Sequence, residues 1–168
     1  SQIGVACMNP ATGAVIWKSE PFDVSYASPI LVNVSGEDQC VIVGSTEAIG
    51  ISATDGKPRW RFNNENQAKI NAFTPLWGPD NRLYVTSHTD GGSRMFKLSR
   101  DGDKTKADEL WFDRKTGIMH TTALWMEDHV YGAAGVQGPT FMVAVDVKSG
   151  ETKWKERATS EQTAGMSL

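Results

Sequence analysis

The sequence predicts an all-β fold, a β-propeller of four-stranded antiparallel blades, and three observations carry that expectation. A Gly-x-x-x-Trp unit occurs three times in like surroundings, at Gly13 to Trp17, Gly56 to Trp60 and Gly150 to Trp154. A degenerate copy places Trp111 after Asp101-Gly102 with an insertion of five residues, so the glycines at 13, 56, 102 and 150 lie 43, 46 and 48 residues apart, the length of one blade. A second register keeps the same period, since Thr74-Pro75-Leu76-Trp77 returns as Thr122-Ala123-Leu124-Trp125 and Leu83-Tyr84-Val85 as Val130-Tyr131-Gly132. Finally, short β-branched and aromatic runs alternate with Gly, Asp and Asn turns, and no stretch sustains a 3.6-residue apolar period, so helix is expected to be minor.

The elements follow from that pattern. Residues 1–20 are expected to supply only an outer hairpin of a partial blade. In the blade over 26–62, the innermost strand runs from Pro29 to Val34, a turn follows at Ser35-Gly36-Glu37-Asp38, and the next strands are Cys40 to Gly44, Ala48 to Ala53 and Arg59 to Phe62, the last after an Asp55-Gly56 turn. A second blade is expected over 73–113, with turns at Asp80-Asn81 and Gly91-Gly92, a third over 121–156, and the start of another at 163–168. The whole of 1–168 reads as one propeller segment: three whole blades and parts of two more. A propeller protects its strand edges by closing its ring. The expectation is therefore a segment of a larger ring, completed by the same longer chain or by a second copy.

Charge and composition exclude several classes of function. Lys and Arg number 17 against 20 Asp and Glu, a formal charge of −3, and neither sign gathers into a block that would attract nucleic acid. No apolar run approaches the ~20 residues of a transmembrane helix. The chain opens on Ser1 with no signal-peptide pattern, which leaves the compartment unread. Cys7 and Cys40 lie far apart, with no C-x-x-C pair, and are expected to be buried small apolar residues, a disulfide being the lesser alternative.

These motifs resemble the pyrroloquinoline-quinone-like (PQQ-like) propeller repeat, whose docking motif runs Ala-x-Asp-x-x-Thr-Gly-x-x-x-Trp. The best copy is Ala144, Asp146, Ser149, Gly150 and Trp154; Cys7, Asn9, Thr12, Gly13 and Trp17 form another, and Gly50, Ser52, Asp55, Gly56 and Trp60 a third, both departing at the Ala position. The resemblance implies that Trp17, Trp60, Trp111 and Trp154 pack between neighbouring blades, with the turn before each Trp capping the adjoining sheet. It implies a ring of eight blades, with seven or six as alternatives, a periplasmic or secreted location and a protein partner. The family holds quinone-dependent dehydrogenases, outer-membrane assembly scaffolds and many bacterial secreted propellers, and fold alone does not choose among them.

Site chemistry is sparse. A quinone site of the resembled kind would show adjacent cysteines, acidic and amide calcium ligands and an Asp base, and the spacing of Cys7 and Cys40 does not match; PQQ with calcium would need ligands on blades outside this sequence, so no cofactor is evident. The natural place for a site is the axial funnel where innermost strands begin, which would gather Tyr26, Ser28, Asn71, Thr74, His120 and Thr122. His120 alone among them commonly transfers protons near neutral pH, and a lone His is more often structural. His88 and His129 flank predicted turns. Asp101-Gly102-Asp103 lacks the further ligands of a calcium loop and reads as a turn, and the segment Lys104 to Glu109 as a solvated hairpin tip. Asn33-Val34-Ser35 matches the N-glycosylation pattern at a strand end. The first reading is thus a non-catalytic extracytoplasmic scaffold or protein-binding propeller; the alternatives are a segment of a PQQ-dependent dehydrogenase and a propeller that binds a small ligand or carbohydrate.

Overall fold

A computed structural model describes residues 2–87, 90–135 and 140–157. The expected strand start at 163–168 and His88 lie outside the described residues. Among those described, every strand pairing is antiparallel. At the N-terminal end β1 (Gln2–Ile3) pairs with β4 (Phe22–Asp23), and β2 (Ala6–Met8) with β3 (Val15–Lys18). Three four-stranded sheets follow in simple up-and-down order. The first blade is β5 (Ile30–Val34), β6 (Glu37–Val43), β7 (Glu47–Ser52) and β8 (Pro58–Asn63). The second is β9 (Leu76–Gly78), β10 (Arg82–Thr86), β11 (Ser93–Asp101) and β12 (Lys104–Asp113), with one 3-10 turn at Pro79–Asn81. The third is β13 (Leu124–Met126), β14 (His129–Ala134), β15 (Phe141–Asp146) and β16 (Thr152–Arg157).

Turn chemistry explains where the chain reverses. Ser35 and Gly36 take φ of 50° and 93°, the left-handed pair that a two-residue hairpin requires, so the expected four-residue turn is shorter and β6 begins at Glu37. Asn33, the glycosylation-pattern residue, is tied into that turn by a 2.7 Å bond from its Nδ2 to Asp38 and a 2.9 Å bond from the Gly36 N–H to its Oδ1. The turns before Trp17, Trp60 and Trp154 share another design. The N–H groups of Gly13, Gly56 and Gly150 reach back to the carbonyls of Asn9, Ser52 and Asp146. The Asp146 carboxylate accepts two backbone N–H bonds at 2.9 Å, from Lys148 and Ser149, and Asn9 Oδ1 accepts the corresponding pair from Ala11 and Thr12.

One local device recurs in all three blades and in the N-terminal hairpin. Trp17 stands opposite Cys7, Trp60 opposite Gly50, Trp111 opposite Met95 and Trp154 opposite Ala144, and the register shifts at once beyond each pair. The shift leaves Ile16, Arg59, Leu110 and Lys153 as the extra residue of a bulge, which raises local twist. The segment Lys104 to Glu109, expected as a hairpin tip, instead lies within β12, in register with β11. Its charges occupy solvent-facing positions, while Thr105 is buried and Ala107 packs on a core cluster. The tip is Gly102 and Asp103, so the five inserted residues lengthen the two arms.

Period-2 alternation places the core between sheets. Phe22, Ile42, Ile49 and Ile51 gather where the N-terminal hairpin meets the first blade, with Trp17 and Cys40 packed on them. Val32, Val34, Val41, Val43 and Ala48 of the first blade meet Leu83, Val85, Phe96 and Leu98 of the second. Tyr84 and Met95, on the opposite face of those same second-blade strands, meet Val130, Val143 and Val145 of the third. Cys7 and Cys40, expected buried, are free and half-buried: Cys7 lies in a two-stranded hairpin, and Cys40 packs against the cluster between that hairpin and the first blade, where burial pushes its thiol up.

Candidate functional site

The segments entering the innermost strands hold the six residues expected to line a funnel. Aligned on the inner strands, Tyr26, Ala72 and His120 are equivalent, as are Ser28, Thr74 and Thr122. Tyr26, Ser28, His120 and Thr122 are exposed, Tyr26 at 78%, and Thr74 is half-buried. Side chains of these five make no hydrogen bonds to one another among the described residues. Asn71 is placed differently: it is fully buried and does not face a funnel. Its Nδ2 donates to the Gly44 carbonyl at 2.8 Å, its Oδ1 accepts from Asn66 Nδ2 at 3.1 Å and from Ser87 Oγ, and its carbonyl accepts the N–H groups of Tyr26 and Ala27. An amide with all its polar groups engaged in a dry site is a structural hub. It anchors the 64–75 linker across the start of two blades.

The linker at 114–123 is fixed by hydroxyls instead. Tyr84 Oη donates to Ser93 Oγ at 2.8 Å, which donates to the Thr116 carbonyl at 2.7 Å. Burial pushes the Tyr84 phenol up to about 12, so it stays protonated and serves as a donor.

The junctions between sheets divide into two kinds. At the first and third, an indole lies flat on a glycine turn. Trp17 Nε1 donates to the Ala53 carbonyl at 3.0 Å, and a side chain on Gly56 would come within 2.5 Å of its ring. Trp111 Nε1 donates to the Val147 carbonyl at 3.0 Å, and Gly150 lies 2.6 Å from its ring by the same measure. At the middle junction Trp60 is buried in the cluster shared by the first and second blades, as expected, but its indole covers Gly50 of its own blade and donates to Gln39 Oε1 at 3.0 Å instead of to a turn of the next blade. The physical reason is the lengthened β11–β12 hairpin, whose Gly102 has nothing near it and offers no five-residue turn. Gln39, fully buried, passes the link on through a 2.6 Å bond from Nε2 to Thr105 Oγ1. Beside it Glu37 accepts from Arg59 Nε at 2.7 Å and pairs with Arg100. Burial acts to raise the Glu37 carboxyl, but hydrogen bonds from Arg59 and Gln39 and the charges of Arg59 and Arg100 outweigh it and hold the group below the ordinary range. Trp154, expected in the interior, is 42% exposed and tilted against Tyr131, and no described segment supplies a turn to receive it.

The residues do not fit a quinone with its metal. The cysteines are not adjacent, and among the described residues no group of three or more His, Cys, Asp or Glu stands close enough to hold an ion. Asp101 and Asp103 flank an exposed hairpin tip. No described helix is long and apolar enough to cross a membrane.

Comparison with known proteins agrees with this architecture. The family model described as outer membrane protein assembly factor BamB matches residues 2–168. The chain belongs to this PQQ-like propeller family. Proteins of known structure share the fold at low identity. A europium-containing methanol dehydrogenase is similar over 83% of this chain and 27% of its own, at a TM-score of 0.57 and 12% identity. The quinohemoprotein alcohol dehydrogenase from Comamonas testosteroni is similar over 84% of this chain and 22% of its own, at 0.58 and 17% identity. This PQQ-like chain therefore spans about a quarter of those chains. Curated proteins return no match.

Proposed function

We propose that the chain is part of a non-catalytic, extracytoplasmic propeller that binds protein in the bacterial envelope, with the exposed ends of its inner strands, Tyr26, Ser28, His120 and Thr122, among the contacts. The observation that carries this reading is the match of nearly the whole chain to a family named for an outer-membrane assembly factor. The surface agrees with it: Tyr26 and Leu31 stand 78% and 67% exposed at the start of β5, a rigid aromatic and an aliphatic anchor of the kind that interfaces use. The tryptophans support it less, because Trp17, Trp60 and Trp111 serve internal packing.

The second reading, a segment of a quinone-dependent dehydrogenase, draws on the two dehydrogenases that share the fold. One pair of measurements separates them. Full-length protein from the periplasmic fraction is mixed with purified outer-membrane assembly proteins and followed by sedimentation velocity. In parallel it is loaded with PQQ and calcium and assayed for alcohol-dependent dye reduction. The scaffold reading expects a sedimenting complex that weakens in Tyr26→Ala, and no turnover. Turnover dependent on PQQ, without a complex, would establish the second reading.

A further inference from the structure

We infer that Arg82 and Lys97 form an oxyanion-binding position on the second blade, a site independent of the scaffold reading. The two stand directly opposite each other on β10 and β11. Strand alternation puts them on the face of Tyr84 and Met95, one row farther along toward the hairpin ends. Directly opposed residues have Cβ atoms about 4.5–5.5 Å apart, and like charges so placed repel. Both are half-buried, which strengthens the repulsion. Yet neither has an ion-pair or hydrogen-bonding side-chain partner among the described residues, and Arg82 Nε is shielded from solvent with its N–H unused.

Two of the acids on neighbouring elements are occupied. Asp108 faces Lys97 across the β11–β12 ladder, but its carboxylate binds Lys106 at 2.7 Å. Asp128, on the turn of the third blade whose carbonyl holds the Val147 N–H, binds Lys148 at 3.0 Å. Counting both pairs as neutral leaves Arg82 and Lys97 without an ion-pair partner, the carboxylates of Asp80 and Glu127 standing exposed on the adjacent turns. The remaining wall is aromatic: Gly78, which pairs with Arg82 on the other side, is covered by the Trp125 ring, 2.6 Å from where a side chain would begin. A planar guanidinium, an ammonium beside it and an indole wall suit a group with two or more anionic oxygens, a carboxylate or a phosphate. Such a group turns a destabilising pair into a charge-assisted clamp. A carboxylate would arrive on an acidic peptide and a phosphate as a free ion.

The test uses full-length protein at constant ionic strength, titrated separately with inorganic phosphate and with hexaglutamate. The readouts are thermal midpoint and the Arg82 Nε–H resonance, assigned by its loss in Arg82→Lys. The expected result is a saturable response of both to at least one probe, with affinity reduced about ten-fold or more in Lys97→Gln, the loss of one charge-assisted hydrogen bond. A response to phosphate alone identifies a free oxyanion; a response to hexaglutamate alone identifies a carboxylate. Absence of any saturable response beyond that of chloride, or an equal response in Lys97→Gln, overturns the site.

Discussion

The junction between the first and second blades and the junction between the second and third solve one problem in different ways. Both must fill a gap between twisted sheets. The latter uses an indole on a glycine turn, with one N–H to carbonyl bond at 3.0 Å from Trp111 to Val147. The former keeps its tryptophan in the apolar cluster between the sheets but folds it over Gly50, and adds a polar link through Gln39, Thr105 and the Arg59–Glu37–Arg100 cluster. The cause is a local event, five residues inserted in one hairpin, and the response is a replaced interface with the fold unchanged. An apolar junction tolerates changes of pH and salt; a buried polar one depends on every partner being present.

The largest effect that sharpens this contrast is expected from the tryptophans. In the 168-residue segment by itself, Trp60→Ala should cost about 3–5 kcal/mol, as for other buried aromatics, while Trp154→Ala should cost about 1 kcal/mol. Urea unfolding of the two variants checks the pair, and comparable losses would mean that Trp154 is covered in solution. Next come the glycines. Gly150→Ala forces both a left-handed backbone and a collision with Trp111 and should cost about 2–3 kcal/mol, whereas Gly102→Ala, at φ +60° with open space, should cost about 1 kcal/mol. Equal midpoints would remove the turn from the docking interaction. Gln39→Leu should follow at about 1–3 kcal/mol, since it strands the Trp60 N–H and Thr105 hydroxyl, with no counterpart cost at the other junction.

The smallest effect is the pH response. Glu37 titrates below its ordinary value of 4.5 in the folded chain, so the stability it contributes is fully present above that value and is lost as pH falls through the lower folded value. Between pH 5 and pH 3 the wild type should lose stability more steeply than Glu37→Gln, by about 1 kcal/mol or less for this partly solvated group. Parallel curves from denaturant melts at each pH would show that the cluster contributes nothing.

How far the sequence could be read follows from the same contrast. The period, the strand order and the glycine turns were legible because left-handed backbone and two-residue alternation leave direct marks, as at Gly36, Gly56 and Gly150. The segment from Lys104 to Glu109 was misread because charge resembles a loop tip when only one face of a strand is wet. The register shift before each Trp left no mark, since one extra residue in a strand of four to ten does not disturb a short alternating pattern. Trp60 packs between blades as its equivalents do, but the partner of its N–H left no mark, because Gln39 lies on a strand two away in the same sheet. Asn71 looked like a wall residue because its place at a strand entrance is readable, whereas its network depends on Gly44, Asn66 and Ser87 arriving from elsewhere in the chain. The Arg82–Lys97 opposition needed the β10–β11 register.

The bulge residues carry a consequence for how such a molecule diversifies. Ile16, Arg59, Leu110 and Lys153 each sit outside the ladder, so their identity is not constrained by a cross-strand neighbour. They already differ in kind, two aliphatic and two cationic, and Ile16 and Leu110 are 62% and 47% exposed. Ile16, Leu110 and Lys153 are thus positions on the outer circumference that selection is free to rewrite while the strands on either side stay in step, whereas Arg59 is held by its bond to Glu37. A library randomised at those three sites alone would sample new rims on an unchanged scaffold.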